Sequence, residues 1–365
     1  MKRISLAVLP TLLMVSLTVH AAEPRALTGT AAGEDFLSIS HDGAMLTWLA
    51  DREGTYDDDV WLFELATGKA VNLTASLPEA PGSGRDFMPQ FSPDNKAVFF
   101  LGGTELWWAP VDGRAPEQLT QDQDVQGFLV VPEKNVVLFS SQRPLDRRDF
   151  KKGWPKGAAG IIMTKLYSFD IKTRKVTLFT HDIVSDEPRV RRMADGRFVI
   201  LSGYDDQGSG DYSDRAIGVI DAKGNRERIG LAAPFSFEPV YLQGGNLLIV
   251  KDQVLEGENF VYPLVTWDLK GKKAGKLSLP VPPGQEVGAT WSVPGYKSLL
   301  LTFGSEATGY GLVRYDEQTG AVTRLADKRF KEAWGGAVTA DGKRLYFLGT
   351  LPEGKGADVF VVDLP

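Results

Sequence analysis

A sequence phrase that returns about every 46 to 50 residues is the strongest constraint on the fold of this chain. One clear copy starts at the turn 41–43, passes through two apolar runs at 46–50 and 60–63, and ends at residues 73–74. A second copy spans residues 91–120 with the same order of turns and apolar runs. Each unit therefore predicts a strand, a tight turn, a buried strand, a loop, a third strand, a second turn and a closing strand.

Two counts of this unit agree on seven copies. The closing dipeptides are Leu27-Thr28, Leu73-Thr74, Leu119-Thr120, Phe179-Thr180, Ile229-Gly230, Leu277-Ser278 and Leu325-Ala326. The turns between the first and second strands are rich in Gly, Asn and Asp, which tolerate the positive φ of short hairpins. A four-strand unit at this period is typical of a propeller blade. The sequence predicts an all-β fold, a seven-bladed β-propeller of four-stranded antiparallel blades.

The two ends of the chain complement each other in this scheme. The last unit reaches its third strand at 359–364 and has no closing strand. The first closing signal, at 25–28, has no unit before it. We therefore predict that residues 24–29 supply the fourth strand of the last blade, which closes the ring and covers an open sheet edge. Residues 22–365 are expected to form this single domain.

Residues 1–21 have the pattern of a secretory signal peptide. Lys2 and Arg3 precede a largely apolar run, and residues 19–21 form a cleavage pattern that ends in Ala21. An uncleaved membrane anchor is the alternative, but Pro10 interrupts the run and the run is short for a span. The sequence predicts a periplasmic protein, with an extracellular location as the alternative, and no stable membrane insertion once the signal is removed.

Composition narrows the possible chemistry. The chain contains no cysteine, which excludes disulfides, thiol catalysis and thiolate metal sites. Its formal net charge is −6, and loss of the basic signal makes it more negative. A mildly acidic exported protein is a poor candidate for nucleic-acid binding, so no nucleic-acid partner is predicted.

The connections of the predicted blades differ between the two faces of the ring. One face carries short turns from the first to the second and from the third to the fourth strand. The other, the long-loop face, carries the connections from the second to the third strand and from each blade to the next. Long connections are predicted there at 51–58, 142–163, 203–214, 251–259, 304–310 and 349–357. Loops on a rigid scaffold commonly carry binding residues, so function is expected on this face.

The longest of these connections, in the third unit, combines basic and aromatic residues. The candidate partner-binding residues are Arg143, Arg147, Arg148, Phe150, Lys151, Lys152 and Trp154. Exposed aromatic and arginine side chains often anchor protein partners, which predicts a docking loop for an acidic partner or peptide. The alternative is a loop that folds over the ring, with its aromatic rings packed and its charges solvated.

Two acidic loops, at 57–59 and 205–214, suggest calcium, and the second has the spacing of a ligand set. The candidate ligands are Asp205, Gln207, Ser209 and Asp211. They place oxygen atoms at alternate positions, as an EF-hand loop does, but the twelfth position is Ala216 instead of a bidentate Glu. The competing interpretation is that the acids before third strands (Asp59, Asp214 and Asp358) satisfy backbone donors of a neighbouring loop. No other cofactor is predicted.

Catalytic patterns are scarce. After the signal only His41 and His181 remain, so the chain has no histidine cluster for a transition metal. No G-x-S-x-G nucleophile elbow occurs. Carboxylate pairs for glycoside chemistry stay open, because acids are plentiful and their distances are not visible in a sequence.

Several phrases resemble a known repeat family. Residues 91–96 (FSPDNK) resemble the F-S-P-D-G-K/R opening of the TolB-type β-propeller repeat. Residues 50–54 (ADREG), followed by 59–61 (DVW), resemble its S-D-R-x-G…D-I-Y centre. The same repeat builds the propeller domain of prolyl-oligopeptidase-family peptidases, and residues 165–173 are similar to blades of that group. The resemblance implies a stand-alone propeller without the hydrolase domain of those peptidases, and the repeat carries no activity of its own.

Two functions from different classes follow. The first is a non-catalytic binding or scaffold protein that holds an envelope protein or a peptide on the long-loop face. The second is a hydrolase or lyase that acts on a glycan, peptide or lactone through carboxylates or calcium. A third possibility, a structural remnant of a peptidase with no retained ligand, also stays open.

Overall fold

The computed structural model describes residues 23–29, 33–51, 58–78, 89–144, 162–184, 191–192, 196–202, 216–221, 223–228, 237–241, 247–251, 254–256, 259–261, 264–268, 273–276, 283–292, 298–305, 307–316, 319, 321–326 and 330–364. These residues are almost entirely β-strands and turns, with one 3-10 helix at Pro132–Lys134. None of the helical structure described is long and apolar enough to cross a membrane.

The strands form antiparallel sheets of four, each corresponding to one sequence unit. The first strand of the chain, β1, covers Arg25–Ala26 and pairs with the last strand. Sheet 1 contains β2 (Glu34–Ile39), β3 (Met45–Asp51), β4 (Asp58–Glu64) and β5 (Lys69–Asn72). Sheet 2 contains β6 (Gln90–Phe91), β7 (Ala97–Gly102), β8 (Glu105–Pro110) and β9 (Glu117–Gln118). Sheet 3 contains β10 (Val125–Val131), β11 (Val136–Pro144), β12 (Ile162–Asp170) and β13 (Val176–Val184).

The second half of the chain repeats this arrangement. Sheet 4 contains β14 (Arg191–Arg192), β15 (Phe198–Ser202), β16 (Ala216–Ile220) and β17 (Arg226–Arg228). Sheet 5 contains β18 (Phe237–Tyr241) and β19 (Leu247–Lys251), followed after a hairpin of β20 (Val254–Glu256) and β21 (Asn259–Val261) by β22 (Leu264–Asp268) and β23 (Lys273–Lys276). Sheet 6 contains β24 (Glu286–Ser292), β25 (Ser298–Ser305), β26 (Gly309–Asp316) and β27 (Val322–Arg324). Sheet 7 contains β28 (Glu332–Val338), β29 (Arg344–Thr350) and β30 (Asp358–Asp363), with β1 as its fourth strand.

The turns between first and second strands have the predicted conformation. Gly43, Asn95, Asn135, Gly196 and Gly342 all adopt positive φ there. Three of these turns also share a side-chain hydrogen bond, in which a hydroxyl donates to an aspartate two residues later. The pairs are Ser40–Asp42 at 2.6 Å, Ser92–Asp94 at 2.7 Å and Thr339–Asp341 at 2.6 Å. The turn chemistry of the sequence phrase is thus confirmed at these positions.

The first strands of the sheets lie against one another. Strand β2 contacts both β6 and β28, β24 contacts both β18 and β28, and β6 contacts β10. In β2, β10, β18, β24 and β28 the pairing register with the second strand shifts within the strand, as at a β-bulge. These bulges turn the backbone at the position where adjacent sheets meet.

Apolar clusters fill the spaces between consecutive sheets. Phe330, Phe347 and Phe360 pack with Leu300 and Leu312 between sheets 6 and 7. Further clusters lie between sheets 1 and 2, 2 and 3, and 3 and 4. Another joins Leu37 and Leu46 of sheet 1 to Leu348 and Val359 of sheet 7, so the last sheet packs on the first.

Three sequence expectations about the long connections require correction. The connection predicted at 304–310 is a tight turn, because β25 extends to Ser305 and β26 starts at Gly309, whose φ is +68°. The connection predicted at 251–259 contains the hairpin of β20 and β21. Arg143 lies in β11, where it pairs with Met163, and not in the insertion loop. In each case strand pairing extends further than the turn residues of the sequence indicated.

Candidate functional site

A buried acid joins the third and fourth strands of sheet 1 at the long-loop face. Asp59, at the start of β4, accepts hydrogen bonds from the hydroxyl of Thr74 at 2.7 Å and the side-chain amide of Asn72 at 2.8 Å. The same Thr74 hydroxyl accepts the amide of Val60 at 3.0 Å. Asp59 therefore has a structural role within its own sheet, but these two donors are side chains and not the backbone donors of a neighbouring loop that the sequence favoured.

The same arrangement recurs in sheets 2 and 7. In sheet 2 the hydroxyl of Thr120 donates to Glu105 at 2.5 Å and accepts the amide of Leu106 at 2.9 Å. In sheet 7 the hydroxyl of Thr28 accepts the amide of Val359 at 2.9 Å and lies 3.4 Å from Oδ1 of Asp358 at the start of the third strand. It also donates to Glu34, at the start of β2 in sheet 1, at 2.6 Å. The threonine of the closing dipeptide is thus a repeated link between the fourth strand and the start of the third.

A pocket of about 620 Å³ lies between sheets 6 and 7. It is lined by Gly288, Thr302, Tyr310, Lys331, Glu332, Ala333 and Trp334. Tyr310 directly follows the tight turn from β25 to β26, and Lys331 directly precedes β28. Both positions belong to the long-loop face, so the pocket opens on the face where function is expected.

The wall formed by sheet 6 depends on a glycine. A Cβ atom at Gly288 would lie 2.6 Å from the Thr302 hydroxyl oxygen and 3.0 Å from Cδ1 and Cε1 of Tyr310. The absence of a side chain on β24 thus allows the Tyr310 ring to lie directly over the backbone. Tyr310 is also fixed along the chain, because its amide donates to the Phe330 carbonyl at 2.7 Å and the Phe330 amide donates back at 2.9 Å.

A residue of sheet 1 bonds to the tryptophan that sheet 7 contributes to the pocket. The indole Nε1 of Trp334 donates to Oδ1 of Asp35 at 2.9 Å. The backbone amide of Phe36 donates to the same oxygen at 2.8 Å. Phe36 itself has a φ of +56°. Because its indole N–H is already bonded, half-buried Trp334 presents ring surface to the pocket.

Two residues of opposite charge are part of the pocket lining. Lys331 and Glu332 are both exposed. The Lys331 amide donates to the Thr350 carbonyl at 2.8 Å, which anchors the backbone at this point. Within the described part of the chain, neither charged side chain makes a hydrogen bond or an ion pair.

Most of the predicted site residues fall outside the described residues. These are Arg147, Arg148, Phe150, Lys151, Lys152 and Trp154 of the insertion, and Asp205, Gln207, Ser209 and Asp211 of the calcium candidate. Arg143 is described only as a residue of β11. No group of three or more His, Asp or Glu side chains that could hold a metal occurs among the residues described. His41 is exposed in its turn, where its amide donates to Asn95 at 2.9 Å.

The sequence analysis missed the pocket residues. One signal was available, because Gly335-Gly336 follows Trp334 inside a predicted strand and paired glycines there indicate a bulge. Both glycines have positive φ, and the register of β28 shifts between Trp334 and Ala337. That Trp334 lines one pocket with Tyr310 of sheet 6 and bonds to Asp35 of sheet 1 depends on tertiary structure, which no local pattern contains.

The chain matches no protein-family model and no curated protein. Among solved structures it is similar to oligogalacturonate lyase in complex with manganese, with a TM-score of 0.64, 15% identity and coverage of 95% of both chains. It is also similar to the β-propeller domain of the trilobed protease from Pyrococcus furiosus, with a TM-score of 0.59, 14% identity and coverage of 93% of this chain and 95% of that one. The chain has a β-propeller fold.

A third similar structure is a longer peptidase, of which the match covers 55%. The propeller matches a puromycin-hydrolyzing peptidase of Mycobacterium tuberculosis with a TM-score of 0.65 and 13% identity, over 95% of this chain and 55% of that one. At these identities the similarities establish the fold alone. The trilobed protease domain has an open velcro topology, whereas here β1 pairs with β30.

Proposed function

We propose that this chain is an exported, TolB-type, seven-bladed β-propeller, closed by its N-terminal strand, that binds a protein or peptide partner on its long-loop face. The signal pattern of residues 1–21 supports export to the periplasm. Closure is supported by the pairing of β1 with β30, the contact of β2 with β28 and the apolar cluster between sheets 7 and 1.

The observation that carries the binding function is the pocket between sheets 6 and 7. Its lining includes the aromatic side chains of Tyr310 and Trp334 and the exposed Lys331 and Glu332, whose charged groups make no ion pair among the residues that the structure describes. Concave sites with apolar walls and a few convergent polar groups are the usual form of ligand sites. Aromatic side chains are also common anchors of protein interfaces.

Affinity capture on the immobilised mature chain tests this function. We expect one periplasmic protein or peptide to be recovered in stoichiometric amount after crosslinking. The charge reversals Lys331→Glu and Glu332→Lys should reduce the recovery, whereas Lys343→Glu, an exposed lysine in a short turn of sheet 7, should not. Absence of a specific partner, or equal recovery with all variants, would contradict the proposal.

An enzymatic function is the second candidate. The similarity to oligogalacturonate lyase extends over 95% of both chains, so a catalytic protein of the same size shares the fold. As an enzyme, the protein would cleave a glycan, peptide or lactone through carboxylates or a metal ion. The acidic loop at 205–211 would bind the metal ion. The test is metal analysis of the purified protein together with a substrate screen that includes oligogalacturonides. Turnover that disappears in Asp205→Asn or Asp211→Asn would favour the enzyme over the binding protein.

A further inference from the structure

We infer that the outer edge of strand β13, the side of the strand that faces away from β12, binds an extended segment of a partner protein as a fifth strand of sheet 3. The segment is apolar and carries acidic residues at its C-terminal end. This inference goes beyond the proposed function, because β13 shares no residue with the lining of the pocket between sheets 6 and 7.

Strand β13 is the longest of the outer strands described. It covers nine residues, Val176–Val184, and continues past the closing dipeptide at 179–180. The outer strands of the other sheets, β1, β5, β9, β17, β23 and β27, have two to four residues. Short edge strands are one way in which proteins avoid pairing with other chains. Sheet 3 lacks this protection.

The edge of β13 is also more apolar than the other outer edges. Leu178, directly before the closing dipeptide, is 36% exposed, and among the described residues it is the one large hydrophobic side chain with that exposure. The residues at the same position in the other units are Ala26, Asn72, Gln118, Arg228, Lys276 and Arg324. Because polar and charged residues on an edge oppose strand pairing, sheet 3 is the most open to it.

The backbone groups needed for pairing face outward at two residues of β13. The amide of Asp170 donates to the Lys175 carbonyl at 3.0 Å, so the backbone of Lys175 faces β12. Backbone direction alternates along an antiparallel strand. Thr177 therefore faces β12, where it pairs with Ser168, and the N–H and C=O groups of Val176 and Leu178 point away from the sheet. No described strand pairs with β13 on that side.

Neighbouring sheets hold this edge in place. The ring of Phe179 makes an edge-on contact with Phe198 of sheet 4, with 6.0 Å between the ring centroids. Val176 packs against the apolar cluster between sheets 2 and 3. Since the edge is already ordered, only the ligand has to become ordered on binding, which favours affinity.

Exposed cations lie at one end of the edge. Lys172, Arg174 and Lys175 are all exposed in or beside the turn that precedes β13. Arg174 is ion-paired with Glu117 of sheet 2, whereas the other two make no ion pair among the described residues. In an antiparallel pair, the ligand residue opposite Lys175 comes after the residues opposite 176–178. An acidic C-terminal end is therefore attracted to this turn.

An extended segment fits this edge better than a second copy of the chain. Two copies paired edge to edge would be regular only over 176–178, because the register of β13 with β12 shifts after Leu178. Stable protein interfaces bury about 1,200–2,000 Å², far more than a strand pair of this length provides. An unfolded segment can follow the irregular part of β13, which a second rigid edge cannot.

Two peptides of one sequence test the inference on the full mature chain. The first is acetylated and amidated Thr-Val-Thr-Val-Thr-Glu-Glu, and the second is methylated at the amide nitrogens of its Val and Thr residues. Methylation removes the backbone donors and keeps the side chains. Titration followed by NMR should give a dissociation constant of about 1 mM or lower for the first peptide. The methylated peptide should bind at least about tenfold more weakly.

Variants with matched controls locate the binding edge. Leu178→Pro removes an outward N–H and should weaken binding at least about fivefold, whereas Asn72→Pro, at the same position of β5, should not. Lys175→Glu should weaken binding of the acidic peptide about fivefold, and Lys69→Glu, at the same position of β5, is its control. Circular dichroism establishes that each variant is folded. If Leu178→Pro does not fold, the two peptides and Lys175→Glu still decide the question.

Several results would overturn the inference. They are absence of binding, equal affinity of the two peptides, and equal loss in Leu178→Pro and Asn72→Pro. A dimer in sedimentation experiments that Leu178→Pro dissociates would mean that a second copy occupies the edge. Loss of peptide binding in Lys331→Glu would assign the peptide to the pocket instead of β13. The proposed function is tested separately, because its capture experiment depends on Lys331 and Glu332 and not on Leu178.

Discussion

The hydroxyl of Thr28 accepts a hydrogen bond from the amide of Val359 at 2.9 Å, across a sequence separation of 331 residues. The same hydroxyl donates to Glu34, which is 2% exposed and accepts the Val359 amide as well, at 2.9 Å. Strand β1 contributes the pairs Arg25–Val361 and Ala26–Phe360, and the Leu27 amide donates to the Val359 carbonyl at 2.8 Å. The side chain of Thr28 adds side-chain hydrogen bonds to this attachment of the N-terminal strand to sheet 7.

Replacement of Thr28 by alanine should destabilise the fold. The change removes one acceptor and one donor at a partly buried site, and we expect a loss of about 1–2 kcal/mol in the free energy of unfolding. Urea unfolding followed by circular dichroism measures it. Thr67→Ala is the control, because its hydroxyl bonds to Glu64 in an exposed turn, and its effect should stay within about 0.5 kcal/mol. Equal stability of the two variants would mean that Thr28 does not hold β1.

Replacement of Gly288 by alanine should both strain the pocket and narrow it. The new methyl group would lie 2.6 Å from the Thr302 hydroxyl and 3.0 Å from the Tyr310 ring, so one of them has to move. Overpacking of this kind costs about 1–3 kcal/mol of stability. Gly29→Ala is the matched control, since nothing lies within 4 Å of a Cβ atom built there. Thermal unfolding of both variants checks the prediction, and a Gly288 variant as stable as the control would refute the close contact.

Asp35 and Trp334 should be energetically coupled. Asp35→Ala removes the acceptor of the Trp334 indole, and Trp334→Phe removes the donor while keeping a ring. In a double-mutant cycle on urea unfolding, we expect the two changes to be non-additive by about 1 kcal/mol. Phe36→Leu is a suitable comparison, because Phe36 contributes its backbone amide, and not its side chain, to Asp35. Additive effects of Asp35→Ala and Trp334→Phe would show that the hydrogen bond adds nothing to stability.

The short turns should contribute a small pH dependence. Hydrogen bonds from the Ser40 hydroxyl and the Ala44 amide hold the pKa of Asp42 below its ordinary value of 3.8. A carboxylate with a depressed pKa in the folded state stabilises above its unfolded pKa, and this stability is lost as the pH falls through the folded pKa. The urea midpoint of wild type should therefore exceed that of Asp42→Asn at pH 7, and the two should converge below about pH 4. A difference that does not change with pH would contradict the charged state of Asp42 as its source. The effect should be small because the site is exposed.

Local sequence patterns predicted the β-structure well where a short-range rule applies. The positive φ at Gly43 and Asn95 follows from turn chemistry that a few neighbouring residues specify. The Leu-Thr closing signal also marks a real structural position, since Thr28, Thr74 and Thr120 make the same bonds to the start of the third strand. The sequence could not show how far pairing extends, so 304–310 was predicted as a long loop although β25 and β26 meet in a tight turn.

The pocket was harder to predict than the strands. The insertion of the third unit and the acidic loop at 205–211 are recognisable in the sequence because their charged residues are close together along the chain. The pocket instead combines Gly288, Thr302 and Tyr310 of sheet 6 with residues 331–334 of sheet 7. Each of these residues is unremarkable among its own neighbours in sequence, and the indole of Trp334 donates to Asp35, 299 residues away.

The amino-acid sequence was enough to predict the repeating unit, its turns and the antiparallel four-strand pattern, because alternating burial and turn residues act over a few positions. It also predicted the pairing of the N-terminal strand with the last unit, since each had an unmatched strand. The sequence did not show how the first strands of different sheets contact one another, or that Tyr310 and Trp334 from two sheets line one pocket. The difference comes from the sequence separation over which the interactions act. Hairpins are specified by neighbouring residues, whereas a cavity depends on the sum of packing and hydrogen bonds between residues hundreds of positions apart.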